Sequence, residues 1–271
     1  MKSKLNMIAI LALALVAGGA VMASDGLAGW WLLGETSGIS AADSSSGGNN
    51  GYLVGSANFV TDPQMGGAVE FFGPSGGVVV PFSPAFTPAR GTVTMWVNAA
   101  RIHEADLVTM RTDRLVRRDA NSLNYAYTLR IQKHGAVEAI IGNDDPNAEF
   151  PITVLHGAGG LIKTNKWQHV AMRWDGSVLA VFVDGKLVGA VPYNEVPELG
   201  LSYSGKSDLT FGEAIWPMNG GTLEFQGRLA DVRIFSRPLN ETEIAQMFAE
   251  KAGGSDSGDG SSTTGKGSKK R

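Results

Sequence analysis

The densest hydrophobic pattern in the chain lies at residues 166–190, KWQHVAMRWDGSVLAVFVDGKLVGA. Three short runs of alternating apolar residues are divided there by Asp175-Gly176 and Asp184-Gly185. Asp-Gly accepts the positive φ values of tight primed turns, so each pair between apolar runs predicts a β-hairpin. In the middle run Val178, Ala180 and Phe182 line one surface and Leu179, Val181 and Val183 the other. Such a strand is covered on both faces. The three runs together predict an antiparallel meander of short strands, as in a sandwich or jelly roll.

The same period continues on both sides of this stretch. Strands are predicted over residues 27–33 (LAGWWLL), 68–72 (AVEFF), 77–80 (GVVV) and 92–97 (TVTMWV). Residues 125–131 (YAYTLRI) and 136–141 (AVEAII) form a further hairpin across Lys133-His134-Gly135, and 208–212 (DLTFG) and 229–235 (LADVRIF) are late strands. Ala230, Val232 and Ile234 alternate with Asp231 and Arg233, which gives that last strand one dry and one wet side. Pro238 stops it, and Asn240 with Glu243 reads as an N-cap opening one short helix to about Lys251.

Composition adds limits rather than elements. The chain has 271 residues, no cysteine, 36 glycines and a formal charge of −3. A single sandwich of this size buries enough surface to stand without disulfides. The near-neutral charge argues against a nucleic-acid partner. Lys2 and Lys4 precede an apolar run over 7–16, and Val21-Met22-Ala23 precedes a cleavage point after Ala23, so residues 1–23 read as a secretory signal peptide. The run is broken by Gly18 and Gly19, so no stable membrane insertion is expected after cleavage. Export without cysteine fits a bacterial protein that is secreted, periplasmic or held at the cell-envelope surface. Residues 253–271 contain no large apolar side chain and are expected to be disordered. One folded domain over 24–252 remains.

The order of WWLLGETSG, AADSSSGGNNG, AVEFFG, GTVTMWVN, the 166–190 meander, LTFGE and GRLADVRIFSRPLNETEI resembles the laminin-G-like (LamG) domains of the concanavalin A-like lectin/glucanase superfamily. The resemblance covers residues 27–251. It implies an all-β fold, a two-sheet antiparallel jelly-roll sandwich with first and last strands adjacent, carrying one short C-terminal helix. It implies no single activity, because the fold hosts lectins, adhesion modules and glycan-cleaving enzymes. Residues 100–124 depart from the family pattern and are basic and unplaced.

Hydrolysis of a glycosidic bond needs two carboxylates at a set separation. Glucanases of the superfamily carry Glu-x-Asp-x-x-Glu on one strand, and no such run occurs. Related lyases use an Arg-x-Glu strand and a Gln-x-His strand, whereas Gln168 and His169 are adjacent and point to opposite faces. His169 therefore reads as a histidine bonded within the sheet, and no enzymatic activity is expected. The resemblance further implies a structural Ca²⁺ where the chain ends meet, with Asp43, Asn50 and Asp231 as ligands and Glu35 as an addition. The competing reading has Asp43 capping a turn and Asp231 paired with Arg233 or a cross-strand cation. Trp216 is the best candidate for a stacking platform under a sugar, since CH groups lie well on aromatic faces. Arg114 and Arg117, within a cluster that includes Arg101, Arg111 and Arg118, suit an anionic glycan. Solvated arginines paired with Glu104, Asp106, Asp113 and Asp119 are the alternative. The expected function is a secreted, non-catalytic module that binds carbohydrate or a surface partner. A structural or adhesion protein recognising another protein, and a divergent glycan-cleaving enzyme, are the competing readings.

Overall fold

Alternation of apolar side chains at period two gives strands wherever a face can be buried. The computed structural model describes residues 25–73, 75–111, 125–142, 152–193, 208–212 and 223–252. Their first half holds β1 (Leu27–Trp31), β2 (Ser40–Ala41), β3 (Gly51–Val54), β4 (Ala57–Val60), β5 (Ala68–Phe71), β6 (Gly77–Val80), β7 (Gly91–Ala99) and β8 (Ala105–Arg111). The second half holds β9 (Tyr125–Ile131), β10 (Val137–Gly142), β11 (Ile152–His156), β12 (Trp167–Trp174), β13 (Val178–Val183), β14 (Lys186–Pro192), β15 (Leu209–Phe211) and β16 (Gly227–Phe235). Helix α1 (Glu241–Ala252) closes the described chain. The predicted signal peptide, the tail from 253, and Arg114, Arg117 and Trp216 lie outside the described residues.

Both Asp-Gly signals make turns, with different chemistry. Asp184 (φ 50°) and Gly185 (φ 74°) are both left-handed, as a type I′ turn between β13 and β14 requires. Gly185 also faces α1, where an added Cβ would sit 3.1 Å from the Ala245 Cα. Between β12 and β13, Asp175 instead accepts the backbone N–H groups of Ser177 (3.0 Å) and Val178 (2.8 Å) through Oδ1. The loop is held by a side chain that imitates a backbone acceptor.

The strands form two antiparallel eight-stranded sheets. Sheet I runs β14-β13-β12-β7-β16-β5-β4, and sheet II runs β11-β10-β9-β8-β15-β6-β3-β2. In sheet I, β16 pairs with β7 along one edge; along the other it pairs with β5 through Gly227–Leu229 and with β1 through Val232–Phe235. The expected adjacency of first and last strands is therefore present, with Trp30 opposite Arg233 and Trp31 opposite Val232. Register shifts between Ala230 and Arg233, and Asp231 there adopts φ 51°. This bulge lies where β16 changes partner from β5 to β1.

The core lies between the sheets. Val93, Met95 and Val97 of β7 and Leu179, Val181 and Val183 of β13 face Leu129, Ile131, Val137 and Leu209 of sheet II. Tyr127 stacks on Trp174 across the layers (5.1 Å), and Trp31 meets Phe211 edge-on (5.2 Å). Each such side chain contributes roughly 1.5–3 kcal/mol through its burial. The other face of sheet I is also covered. Ala171, Ala180, Phe182 and Phe235 pack against Ile244 and Met247 of α1, while Trp96 stacks on Phe248. The capping box predicted for this helix is complete: Glu243 N–H donates to Asn240 Oδ1 (3.0 Å) and Asn240 N–H to Glu243 Oε2 (2.7 Å). No helix among the described residues is long and apolar enough to cross a membrane.

Five strands lie outside the expected set. β2, β3 and β4 have four residues or fewer, too short for alternation to stand out from loop sequence. β8 falls within the unplaced basic stretch 100–124, and β11 follows residues that carry no alternating pattern.

Candidate functional site

The outer face of sheet II is polar at its centre, where three threonines stand side by side. One register row crosses seven strands as Tyr52, Val79, Thr210, Thr109, Thr128, Ile140 and Val154. Thr210 Oγ1 donates to the Thr109 carbonyl at 3.5 Å, and Thr109 Oγ1 donates to Asp106 Oδ2 at 3.2 Å. Thr128 is 0% exposed, yet its Oγ1 has no hydrogen-bond partner. Leaving a hydroxyl buried without a partner costs about 1–3 kcal/mol, so such a group calls for an explanation.

Two residues along β9 a charged row runs parallel to the threonines. Asp106 of β8, Arg130 of β9, Glu138 of β10 and His156 of β11 are successive register partners. Arg130 Nε donates to Asp106 Oδ1, and Arg130 Nη1 lies 3.5 Å from both Glu138 Oε1 and Glu104 Oε1. His156 Nδ1 lies 2.6 Å from Glu138 Oε2. Asp106 is fully buried, whereas the side chains of Glu104 (36%) and His156 (71%) reach solvent. The arrangement is a chain of paired polar and charged groups whose Glu104 and His156 members reach solvent, beside a hydroxyl that still needs a partner. The sequence alone offers Glu104 and Asp106 only as counter-ions of the arginines at 101–118 and gives no role to Arg130 and Glu138. One signal was available: Arg130 and Glu138 are equidistant from His134, which pairs them across the predicted hairpin.

The residues implied as calcium ligands sit near the chain ends but are otherwise engaged. Asp43 accepts the N–H groups of Trp30 (2.9 Å), Ser45 (2.8 Å) and Asn49 (2.8 Å), and Asn50 Oδ1 accepts the Asp43 N–H (2.8 Å). Burial raises the Asp43 pKa, but hydrogen bonds from Ser45, Trp30 and Asn49 outweigh it and hold the carboxyl below its ordinary 3.8. Asp231 accepts the Trp30 indole N–H (2.6 Å) and two N–H groups of Arg233 (2.9 and 3.0 Å), with Lys251 Nζ at 3.6 Å. The two carboxylates thus meet one residue, Trp30, at its backbone and at its indole. Calcium takes six to eight oxygens. Asp231 faces two cations, and the Asp43 oxygens already bind three donors, so these residues as arranged do not fit a shared ion. Glu35 accepts the Ala42 N–H through one oxygen (2.7 Å) and keeps a second, buried oxygen with no partner. Among the described residues no group of three acidic or histidine side chains is placed to hold a metal. Neither Ca²⁺ nor a chelator is expected to move the melting temperature. A chelator-induced drop that is reversed by Ca²⁺ and absent in Asp43→Asn would reinstate the ion.

His169 is buried on the covered face of sheet I. Its ring meets Trp96 edge-on at 5.5 Å, and its backbone N–H donates to Asp184 Oδ1 (3.0 Å). Arg101 lies 3.5 Å from Gln226 Oε1 at the surface.

A sequence profile of the concanavalin A-like lectin/glucanase superfamily, of laminin-G type, matches residues 72–245. No curated protein sequence matches the chain. The binding domain of Paraclostridial Mosquitocidal Protein 1 is similar in structure, with a TM-score of 0.60 and 14% identity over 83% of this chain and 52% of that one. The botulinum neurotoxin serotype G binding domain gives 0.58 and 11% over 83% and 51%. Trypanosoma rangeli sialidase in complex with sialic acid gives 0.59 and 18% over 84% and 33%. The chain spans about half the length of the two toxin domains and about a third of the sialidase, and at these identities the likeness is one of fold. With its two facing antiparallel sheets, its paired end strands and the profile match over most of the domain, the chain belongs to the laminin-G-like group of the concanavalin A-like lectin/glucanase superfamily.

Proposed function

We propose that this chain is an exported, non-catalytic laminin-G-like module that binds carbohydrate on the outer face of sheet II. The observation that carries the reading is the Thr128 hydroxyl, buried and without a partner beside the Asp106–Arg130–Glu138 row. Sugar hydroxyls both donate and accept, so they complement a face that mixes hydroxyl, carboxylate and guanidinium groups. Laminin-G-like domains typically bind rather than catalyse, and the local geometry supports the same assignment. Asp106 and Glu138 are two strands apart with the Arg130 guanidinium between them, in the place a scissile glycosidic bond would have to occupy. The sequence reading of residues 1–23 as a signal peptide supports export.

Glycan-array binding by the mature chain, compared with Thr128→Val, tests this. Valine keeps the shape and removes the hydroxyl, so the free protein is expected to be as stable as wild type or slightly more so. Affinity for the bound glycan is expected to fall about tenfold, the equivalent of one hydrogen bond near 1.4 kcal/mol. An array on which no glycan of any class binds would overturn the reading in favour of a protein partner.

A further inference from the structure

Strand register brings several loops to one end of the sandwich, and the outermost charges on that rim are cations. We propose that this rim docks the protein on an anionic lipid bilayer, through Arg101, Lys133, Lys163 and Lys166, with Phe72 as an apolar anchor. The inference does not use the outer face of sheet II and goes beyond the carbohydrate reading.

Three connections meet there. β7 runs into β8 through residues 100–104, β9 turns into β10 through 132–136, and β11 reaches β12 through 157–166. Gly160 N–H donates to the His134 carbonyl (2.6 Å) and Ile162 N–H to that of Gly135 (2.9 Å), while Asn165 N–H donates to the Ala99 carbonyl (2.8 Å). A Cβ on Gly160 would stand 3.7 Å from Lys163 Nζ, so that ammonium lies beside the same glycine loop. In sheet I, Phe71, Gly227 and Ala99 share one register row. Phe72 is therefore across from Gln226, whose Oε1 lies 3.5 Å from Arg101 Nη1.

The four cations are exposed, and none makes an ion pair among the described residues. The carboxylates at this end are bonded to the fold instead: Glu104 to Arg130, Asp184 to the His169 N–H, and Glu224 to the Ser75 N–H (2.8 Å). Lysine carries its charge on a long stem as a compact ammonium, which reaches a phosphate without a shaped pocket. Docking of this kind needs no cavity, and loops already tied by backbone hydrogen bonds lose little freedom on contact. The lipid assignment rests on Phe72, which is 60% exposed on the same rim. A polyanion in solution uses charges alone. An aromatic ring beside cations suits a bilayer surface, where the ring enters the headgroup boundary and the cations meet lipid phosphates.

Co-sedimentation of the mature chain with vesicles of phosphatidylglycerol and phosphatidylcholine in equal parts, and with vesicles of phosphatidylcholine alone, tests the proposal. Binding to the mixed vesicles is expected to be at least about tenfold tighter and to weaken as salt is added. The double variant Lys163→Gln, Lys166→Gln is expected to lose about twentyfold in affinity, and Phe72→Ser about tenfold. All three side chains are exposed, so urea midpoints are expected to stay at the wild-type value. Absence of binding to the mixed vesicles, or equal binding to both kinds, would overturn the proposal. So would wild-type binding by the double variant, which would move the contact to the basic residues Lys266, Lys269, Lys270 and Arg271 left unchanged in it. A sulfated polysaccharide that binds as tightly as the mixed vesicles, with Phe72→Ser equal to wild type on both, would assign the rim to a soluble polyanion and overturn the bilayer. None of these outcomes bears on the glycan array, which reads the sheet II face through Thr128→Val.

Discussion

Lowering the pH from 7 to 4 is expected to remove on the order of 3 kcal/mol of stability from the wild-type chain and little from His169→Gln. His169 is 2% exposed, and its Nδ1 has no hydrogen-bond partner. Burial is the main influence on it; Asp231 pulls its pKa up, Arg233 pushes it down, and the result is lowered from 6.5 to about 4. The folded pKa lies below the unfolded one, so between these values the unfolded chain binds a proton that the folded chain refuses. The contribution is fully present above pH 6.5 and is lost as pH falls toward 4. At about 1.4 kcal/mol per unit this gives the figure above. For a domain of this size it corresponds to a fall in Tm of roughly 6–12 °C. The buried carboxylates Asp62 and Asp231 act in the same direction but further down, because both are held below 3.8. Urea midpoints for wild type and His169→Gln at intervals across this window separate the two contributions. Parallel pH profiles would show that His169 is not the group responsible.

Asp231→Asn is expected to cost about 3 kcal/mol or more at neutral pH. Asparagine tolerates the left-handed backbone at φ 51° and can still accept the Trp30 indole N–H, so the change isolates the charge. Burial raises the Asp231 pKa, but Arg233, Lys251 and Trp30 outweigh it and keep the carboxylate ionised at neutral pH. Removing its charge leaves Arg233 buried over the Trp30 ring (4.6 Å), with Glu250 at 3.8 Å the one remaining carboxylate against it among the described residues. The double variant Asp231→Asn with Arg233→Met removes the stranded cation and is expected to recover most of the loss, since apolar replacements of buried ion pairs are often neutral. A single variant that melts within about 1 kcal/mol of wild type would show that Asp231 does not anchor the two chain ends.

The pairing of Asp231 with Arg233 was open to sequence reasoning because the two are neighbours on one face of one strand. The part played by Trp30 was not, because it comes from the far end of the chain and reaches Asp231 only through the β1–β16 register. The sheet II site divides in the same way. Arg130 and Glu138 face each other across a short hairpin and could have been paired by counting from its turn. Asp106 joins them through β8, whose pairing with β9 spans residues 112–124 and contains shifts in register. A single shift of that kind changes which face a side chain occupies, so alternation alone cannot place Asp106 beside Arg130.

The strands of the meander, its two Asp-Gly turns, the capped helix and the family were determined by the sequence itself. Each rests on interactions between residues a few positions apart, or on an order of segments that survives large changes elsewhere. The tertiary structure alone decided which charges and hydroxyls share a surface: that Asp43 and Asp231 each serve Trp30, that His169 is buried against Trp96, and that Thr128 is buried without a partner beside a chain of paired charges. Those meetings depend on the register of strands distant in sequence, which is fixed by how the whole core packs and not by any local pattern.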